Sequence, residues 1–249
     1  MLAARDLSVR FGGVAAVDRV ALSVEAGSIV ALIGPNGAGK TTLFALLSGF
    51  LRPETGSVAF RDRDITGMAP HAICKLGMTR TFQIVQPFAA QTVRANIAVG
   101  AHLHHRGRSA ALAAAESVAH RVGLANELDQ LAANLTIAGR KRLELARALA
   151  TEPQLILLDE VLAGLNPQEV SEMVPVVRAI RDGGVTVLMI EHVMQAVMSL
   201  ADEVHVLANG RLIAHGTPAQ VTSDPAVIEA YLGRGAAAKL AAAGSVAHA

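Results

Sequence analysis

Gly34-Pro35-Asn36-Gly37-Ala38-Gly39-Lys40-Thr41-Thr42 is the stretch on which the reading of this 249-residue chain turns. Before it runs Ser28 to Ile33 (SIVALI), a short apolar run of strand type. After it come Leu43 to Leu47 (LFALL), apolar at helical spacing. A glycine-rich turn that carries GxxxxGK[ST] between a strand and a helix marks a phosphate-binding loop. The glycines let the backbone curl so that successive N–H groups face phosphate oxygens. The helix that follows adds partial positive charge at its N-terminus. Lys40 is expected to reach the β- and γ-phosphates and the Thr41 hydroxyl to ligate Mg²⁺, with Gly34, Asn36, Gly37, Ala38, Gly39 and Thr42 completing the cradle. A chance match to the pattern would lack the flanking strand and helix. The loop implies nucleotide binding, but kinases, GTPases, helicases and transport ATPases all use it.

The second half of a site is legible at Leu155-Ile156-Leu157-Leu158-Asp159-Glu160. A continuous apolar run reads as a strand buried on both faces, and its carboxyl end is where α/β sheets carry ligands. Asp159 is placed there to hold Mg²⁺ beside Thr41. Glu160, one residue on, points differently and is suited to orient and deprotonate an attacking water. Two polar residues follow the same logic. Gln83 ends a strand read over Met78 to Phe82, and His192 follows one read over Val185 to Ile190. Alone, each reads as a loop residue; with Glu160 they make a water-activating group around a γ-phosphate, Gln83 being a further candidate metal ligand.

Composition narrows the classes. Lysine plus arginine number 22 against 21 acids, a net charge of +1, so there is no clustered basic footprint of the kind nucleic acid requires. Apolar residues make up 52% of the chain, yet no run approaches the roughly 18 residues of a membrane span. The first ten residues lack the apolar core of a signal peptide. Cys74 is the single cysteine, as expected in a reducing compartment. These features together predict a cytoplasmic chain, or one held at the inner face of a membrane by a partner.

Along the chain, Leu2 to Phe11 and Val20 to Val24 alternate as half-buried antiparallel strands do. Arg52 to Gly56 reads as a turn, Ser57 to Phe60 as a strand and Pro70 to Leu76 as a short helix. From Thr92 to Thr151 strand signals vanish and alanine and leucine recur at helical spacing. A helical insertion, about 85–151, is expected there, its last helix running from about Gly139 to Ala150. Within it His102, His104 and His105 read as a solvated helix end rather than a metal site, because no Cys or acid stands near to complete one. Pro167 to Arg181 reads as a helix, and Val204 to Ala214 as a hairpin turning at Asn209-Gly210. Two short helices fill Pro218 to Gly233, and the Ala-rich 234–249 reads as a frayed tail.

Taken in order, these motifs resemble the nucleotide-binding subunits of ABC transporters over roughly Leu2 to Gly233. The resemblance implies a P-loop α/β fold with a parallel-sheet core, an antiparallel β subdomain and a helical signature subdomain. It places Phe11 where the family stacks an aromatic on adenine, Gln83 in the Q-loop, Ala163 to Asn166 in the D-loop and His192 as the switch histidine. Leu135 to Gly139 sits at the family signature, so Thr136, Ala138 and Gly139 are expected to meet a nucleotide. That signature usually reads LSGGQ and here reads LTIAG, and Val161 stands where a proline usually follows the catalytic Glu. More narrowly, RTFQ, AGLNP and VIEAYLG look like the ATPase subunit of importers for branched-chain amino acids. ATP and Mg²⁺ are the implied cofactors. The implied partners are membrane permeases, a second ATPase subunit head to tail, and indirectly a periplasmic binding protein.

Other readings stay open at this point. An ABC ATPase of translation would carry two cassettes and one of DNA repair a long coiled-coil insertion; neither is visible. A small-molecule kinase would not need Glu160, Gln83 and His192 around a water. Amides, urea or aromatic acids remain possible cargoes beside leucine, isoleucine and valine.

Overall fold

The computed structural model describes residues 1–233; the tail expected over 234–249 lies outside them. Strands β1 (Leu2–Phe11) and β2 (Val14–Val24) form a hairpin, and β3 (Ile29–Ile33) leads through the glycine-rich loop into α1 (Lys40–Leu47). Then come β4 (Thr55–Phe60), β5 (Arg63–Asp64), α2 (Pro70–Lys75) and β6 (Met78–Arg80). A helical stretch follows: α3 (Val93–Ala101), α4 (Arg108–Val122) and α5 (Ile137–Leu149), with two short 3₁₀ turns before α5. The chain re-enters the sheet at β7 (Leu155–Asp159) and continues as α6 (Pro167–Asp182), β8 (Thr186–Ile190) and α7 (Met194–Leu200). It finishes with β9 (Glu203–Ala208), β10 (Arg211–Gly216), α8 (Pro218–Ser223) and α9 (Pro225–Leu232). Among the described residues no helix is long and apolar enough to cross a membrane.

Two sheets result. One is antiparallel in the order β2-β1-β4-β5; the other runs β10-β9-β3-β8-β7-β6, parallel except at β10. The continuous apolar strands of the second sheet are divided by the two-residue period of a strand. Ile29, Ala31 and Ile33 of β3 face a core shared with α3–α7, while Val30 and Leu32 face a core shared with α1 and the antiparallel sheet. β7 splits the same way, Ile156 and Leu158 to the first core and Leu155 and Leu157 to the second. Both phosphate-loop and Asp-Glu strands are thus clamped from two sides, which fixes where their carboxyl ends stand.

Several local expectations shift. β2 begins at Val14 rather than Val20, because Phe11 and Val14 pair across a tight turn at Gly12. β4 begins at Thr55 inside the expected turn, where Thr55 pairs with Ser8. β6 stops at Arg80, so Gln83 does not end a strand; it stands in the loop beyond, after one last bond from Thr81 N–H to the Leu157 carbonyl (2.9 Å). α5 starts at Ile137, two residues earlier than its apolar spacing suggests, because Thr136 caps it: the Thr136 hydroxyl accepts from Gly139 N–H at 3.0 Å. The helical stretch also contains one isolated strand bridge, Thr92 to Leu131. The three histidines form the turn after α3. His104 meets the Thr151 carbonyl at 3.1 Å and His105 the Glu152 carboxylate at 2.8 Å, tying that turn to the end of α5.

Candidate active site

The loop after β3 has one exit, into α1. Gly39 stands at the helix N-cap with φ of 103°, and no side chain caps the helix. A Cβ at Gly39 would lie 2.2 Å from the Ala16 carbonyl oxygen, and one at Gly34 (φ 152°) 2.0 Å from that of Leu207. Only glycine fits either place. The first N–H groups of α1 are therefore left open toward the cleft, as an anion site requires. The cleft, about 920 Å³, is lined by Asn36 to Thr42 together with Gln83, Glu160 and His192.

Lys40 is buried and folds back on the loop, donating to the carbonyls of Gly34 (2.7 Å) and Pro35 (3.1 Å). Burial pulls its ammonium below the usual lysine range, and the carboxylates of Glu160 and Asp159 oppose that shift. The loop is thus satisfied internally while its cation stands ready for phosphate oxygens.

Glu160 leaves β7 through a positive φ of 50°, a strained geometry for a non-glycine residue. That bend separates its direction from that of Asp159, as the sequence implied. Its Oε2 accepts from Gln83 Nε2 at 2.7 Å, and its N–H donates to the Ile190 carbonyl at 3.0 Å. Asp159 remains within the strand, 2% exposed, with Oδ2 bonded to Arg80 at 2.6 Å and Oδ1 buried without a partner. Asp159 lines one cavity with Thr41, and an unpartnered carboxylate oxygen beside a hydroxyl fits a hard cation such as Mg²⁺, which takes oxygen ligands.

Four charged residues around this site were given no role from the sequence. Lys141 of α5 is buried and donates to the Glu160 carbonyl (3.0 Å) and the Gln83 carbonyl (3.4 Å), joining the two polar segments. Glu144, one turn on, accepts from Phe82 N–H at 2.8 Å, while burial raises its carboxyl above the usual range. Glu191 accepts from Leu162 N–H at 2.9 Å; burial pushes it up to about 7. Arg80 pairs with Asp159. A usable signal existed for Lys141 and Glu144: they lie three apart on the apolar face of a helix, where charge needs a partner. Asn209 and Gly210 of the β9–β10 turn also line the cleft.

Other expected residues are not among its lining. Phe11 is 52% exposed, hence not a core residue, and the cleft wall beside it is formed by Val14, Ala15 and Ala16. Thr136, Ala138 and Gly139 line a separate cavity of about 320 Å³ with Arg142 and Glu172.

Comparison with known proteins gives the family. The family model described as ABC transporter matches residues 17–163, and one described as branched-chain amino acid ATP-binding cassette transporter matches 211–237. The chain is similar to the high-affinity branched-chain amino acid transport ATP-binding protein LivG of Escherichia coli (strain K12), with 39% identity covering 94% of this chain and 98% of LivG. It is also similar to BraF of Pseudomonas aeruginosa, a protein of the same description, at 38% identity over 94% and 98% of the two chains. Among solved structures, the ATP-binding cassette MJ1267 in its ADP conformation superimposes with a TM-score of 0.86 and 32% identity, covering 94% of this chain and 99% of that one. With the phosphate loop, the Asp-Glu strand end and these relatives in agreement, the chain belongs to the ABC transporter family as one of its ATP-binding cassettes, and it is an ATPase.

Proposed function

We propose that this cassette hydrolyses ATP to drive import of branched-chain amino acids through membrane permeases, working at the cytoplasmic face of the membrane. The observation that carries the hydrolytic part is the Gln83–Glu160 hydrogen bond at 2.7 Å, in a cleft shared with Lys40 and His192. A donor on Oε2 fixes the rotation of the Glu160 carboxylate, which then accepts a proton from a water facing the γ-phosphate. Lys40 exchanges its two loop carbonyls for phosphate oxygens. His192, which lines the same cleft, holds a γ-phosphate oxygen. Thr41 and Asp159, with Gln83 as a further ligand, would hold Mg²⁺, which supplies charge neutralisation between the β- and γ-phosphates. Phe11 stacks on the adenine at the cleft mouth.

The signature cavity stands apart from the phosphate loop, so Thr136, Ala138 and Gly139 serve a nucleotide bound to another cassette. This favours a head-to-tail dimer in which each ATP lies between the loop of one subunit and the signature of its partner. ATP then stabilises the closed state through contacts that exist only there, and hydrolysis reopens it. The second subunit is a related chain or a copy, and a periplasmic binding protein delivers the cargo. The branched-chain assignment rests on the match over 211–237 and on the names of the relatives. Reconstitution with its permeases in vesicles tests it. Stimulation of ATPase by binding protein loaded with leucine, isoleucine or valine supports the assignment; stimulation only by amides, urea or aromatic acids replaces the cargo and leaves the transporter reading intact.

A further inference from the structure

A buried cation, Arg80, stands next to Asp159. Arg80 is the last residue of β6 and lies opposite Leu157 in the parallel register with β7. Its side chain is 7% exposed and reaches along the strand to Asp159. The guanidinium is caged by aromatic rings, its carbon 5.7 Å from the centroid of Phe44, 5.8 Å from Phe50 and 5.4 Å from Phe82. Nη1 approaches the Ser48 hydroxyl at 3.4 Å, and Nε has no partner.

An arginine that meets a carboxylate usually does so with two parallel bonds. Here only Oδ2 is taken, at 2.6 Å, and Oδ1 is left buried and unpartnered. Three rings flank the guanidinium, and the Asp159 backbone is itself fixed by its N–H bond to the Thr81 hydroxyl (3.1 Å). A buried polar atom without a partner is unfavourable unless a ligand supplies one. Arg80, Thr41 and Asp159 line one cavity.

The geometry points to Arg80 as the positioning residue of Asp159: by gripping Oδ2 inside an aromatic cage it holds Oδ1 toward the divalent cation that accompanies the nucleotide. This rests on the reading of Asp159 as a cation ligand. A purely structural ion pair would affect folding alone. A cation that merely stood near the site would weaken metal binding, and its removal would strengthen it. Positioning requires the opposite sign.

The test is Mn²⁺ affinity, measured by electron paramagnetic resonance on the full chain with a non-hydrolysable ATP analogue. Arg80→Met is expected to weaken Mn²⁺ at least about tenfold, as removing a residue that orients a metal ligand does, while metal-free nucleotide binding is retained. Arg80→Lys keeps the buried charge and guards against a misfolded first variant; it is expected to fall between parent and Arg80→Met at a melting temperature close to the parent's. Unchanged or tighter Mn²⁺ binding in folded Arg80→Lys overturns the proposal. Asp159→Asn separates the two readings. If it too leaves Mn²⁺ binding unchanged, the assignment of Asp159 as ligand is what fails.

Discussion

Two helices of this protein begin at segments read as nucleotide-binding, and they begin differently. α1 starts at Lys40 behind Gly39, with no side chain on its free N–H groups. α5 starts at Ile137 behind Thr136, whose hydroxyl already accepts from Gly139 N–H at 3.0 Å. An uncapped N-terminus in a glycine cradle holds an anion by itself. A capped one has already satisfied one of its orphan donors and offers a phosphate what remains. The first end is a complete half-site within one chain; the second is suited to complete a site made elsewhere. The LTIAG sequence fits this contrast. Ala138 lies inside the first turn of α5, where a helix favours alanine over glycine by about 1 kcal/mol, so the second signature glycine is not demanded by this backbone.

The sharpest test of the contrast removes the reaction that separates the two ends. Glu160→Gln keeps the shape but not the base, and turnover should fall about 10²–10⁴-fold with nucleotide binding intact. Sedimentation with ATP and Mg²⁺ should then show an association, with itself or a related cassette, that outlasts the parent's. Normal turnover in this variant would end the general-base assignment.

Glu191 braces the segment that follows Glu160, through Leu162 N–H. Its folded value of about 7, raised from 4.5 first by burial and further by Glu160, means that the folded state prefers the protonated acid. Its contribution to stability is therefore whole below pH 4.5 and is lost as pH rises through about 7. A displacement of this size corresponds to on the order of 3 kcal/mol. Chemical denaturation across that window should show the slope in the parent and a flatter profile in Glu191→Gln. Equal profiles would place the charge elsewhere.

Lys40→Ala attacks the open end directly. Hydrogen bonds to charged groups contribute about 1.5–3 kcal/mol, so ATP affinity should fall roughly 10–100-fold, read by a fluorescent nucleotide. Parent-like binding and hydrolysis would remove the phosphate-loop assignment. The smallest effect is expected at the capped end. Thr136→Ala deletes the cap and should cost about 1 kcal/mol of stability without changing nucleotide affinity of the separate chain. A changed affinity there would mean that the signature already touches nucleotide within one subunit.

Much of this was legible from residue order. The phosphate loop, the Asp159-Glu160 pair and the alternating first strand announce themselves because each depends on a local pattern: glycine at strained turns, an apolar run that stops at acids, a period of two. Gln83 and His192 were also named from the sequence and both line the cleft, although Gln83 stands in a loop three residues beyond the end of β6 rather than at a strand end. The misses share a cause. Lys141, Glu144, Glu191 and Arg80 are ordinary charged residues by sequence, and each gains its meaning from a partner that is distant along the chain: Lys141 from the Gln83 and Glu160 carbonyls, Glu144 from Phe82, Glu191 from Leu162, Arg80 from Asp159.

The sequence by itself determined that this chain binds nucleotide, and which strand ends carry the loop and the acids, because strand period and turn chemistry are set by neighbouring residues. The tertiary structure decided which oxygen of Asp159 is held and which is left open, that Gln83 sets the rotation of Glu160, and that the signature lies in a cavity of its own. The physical reason is that these roles depend on partners far apart along the chain, and for Asp159 on burial. A charge removed from water must find a partner, and only the packing of the parallel sheet against α5 and α1 decides which partner is within reach.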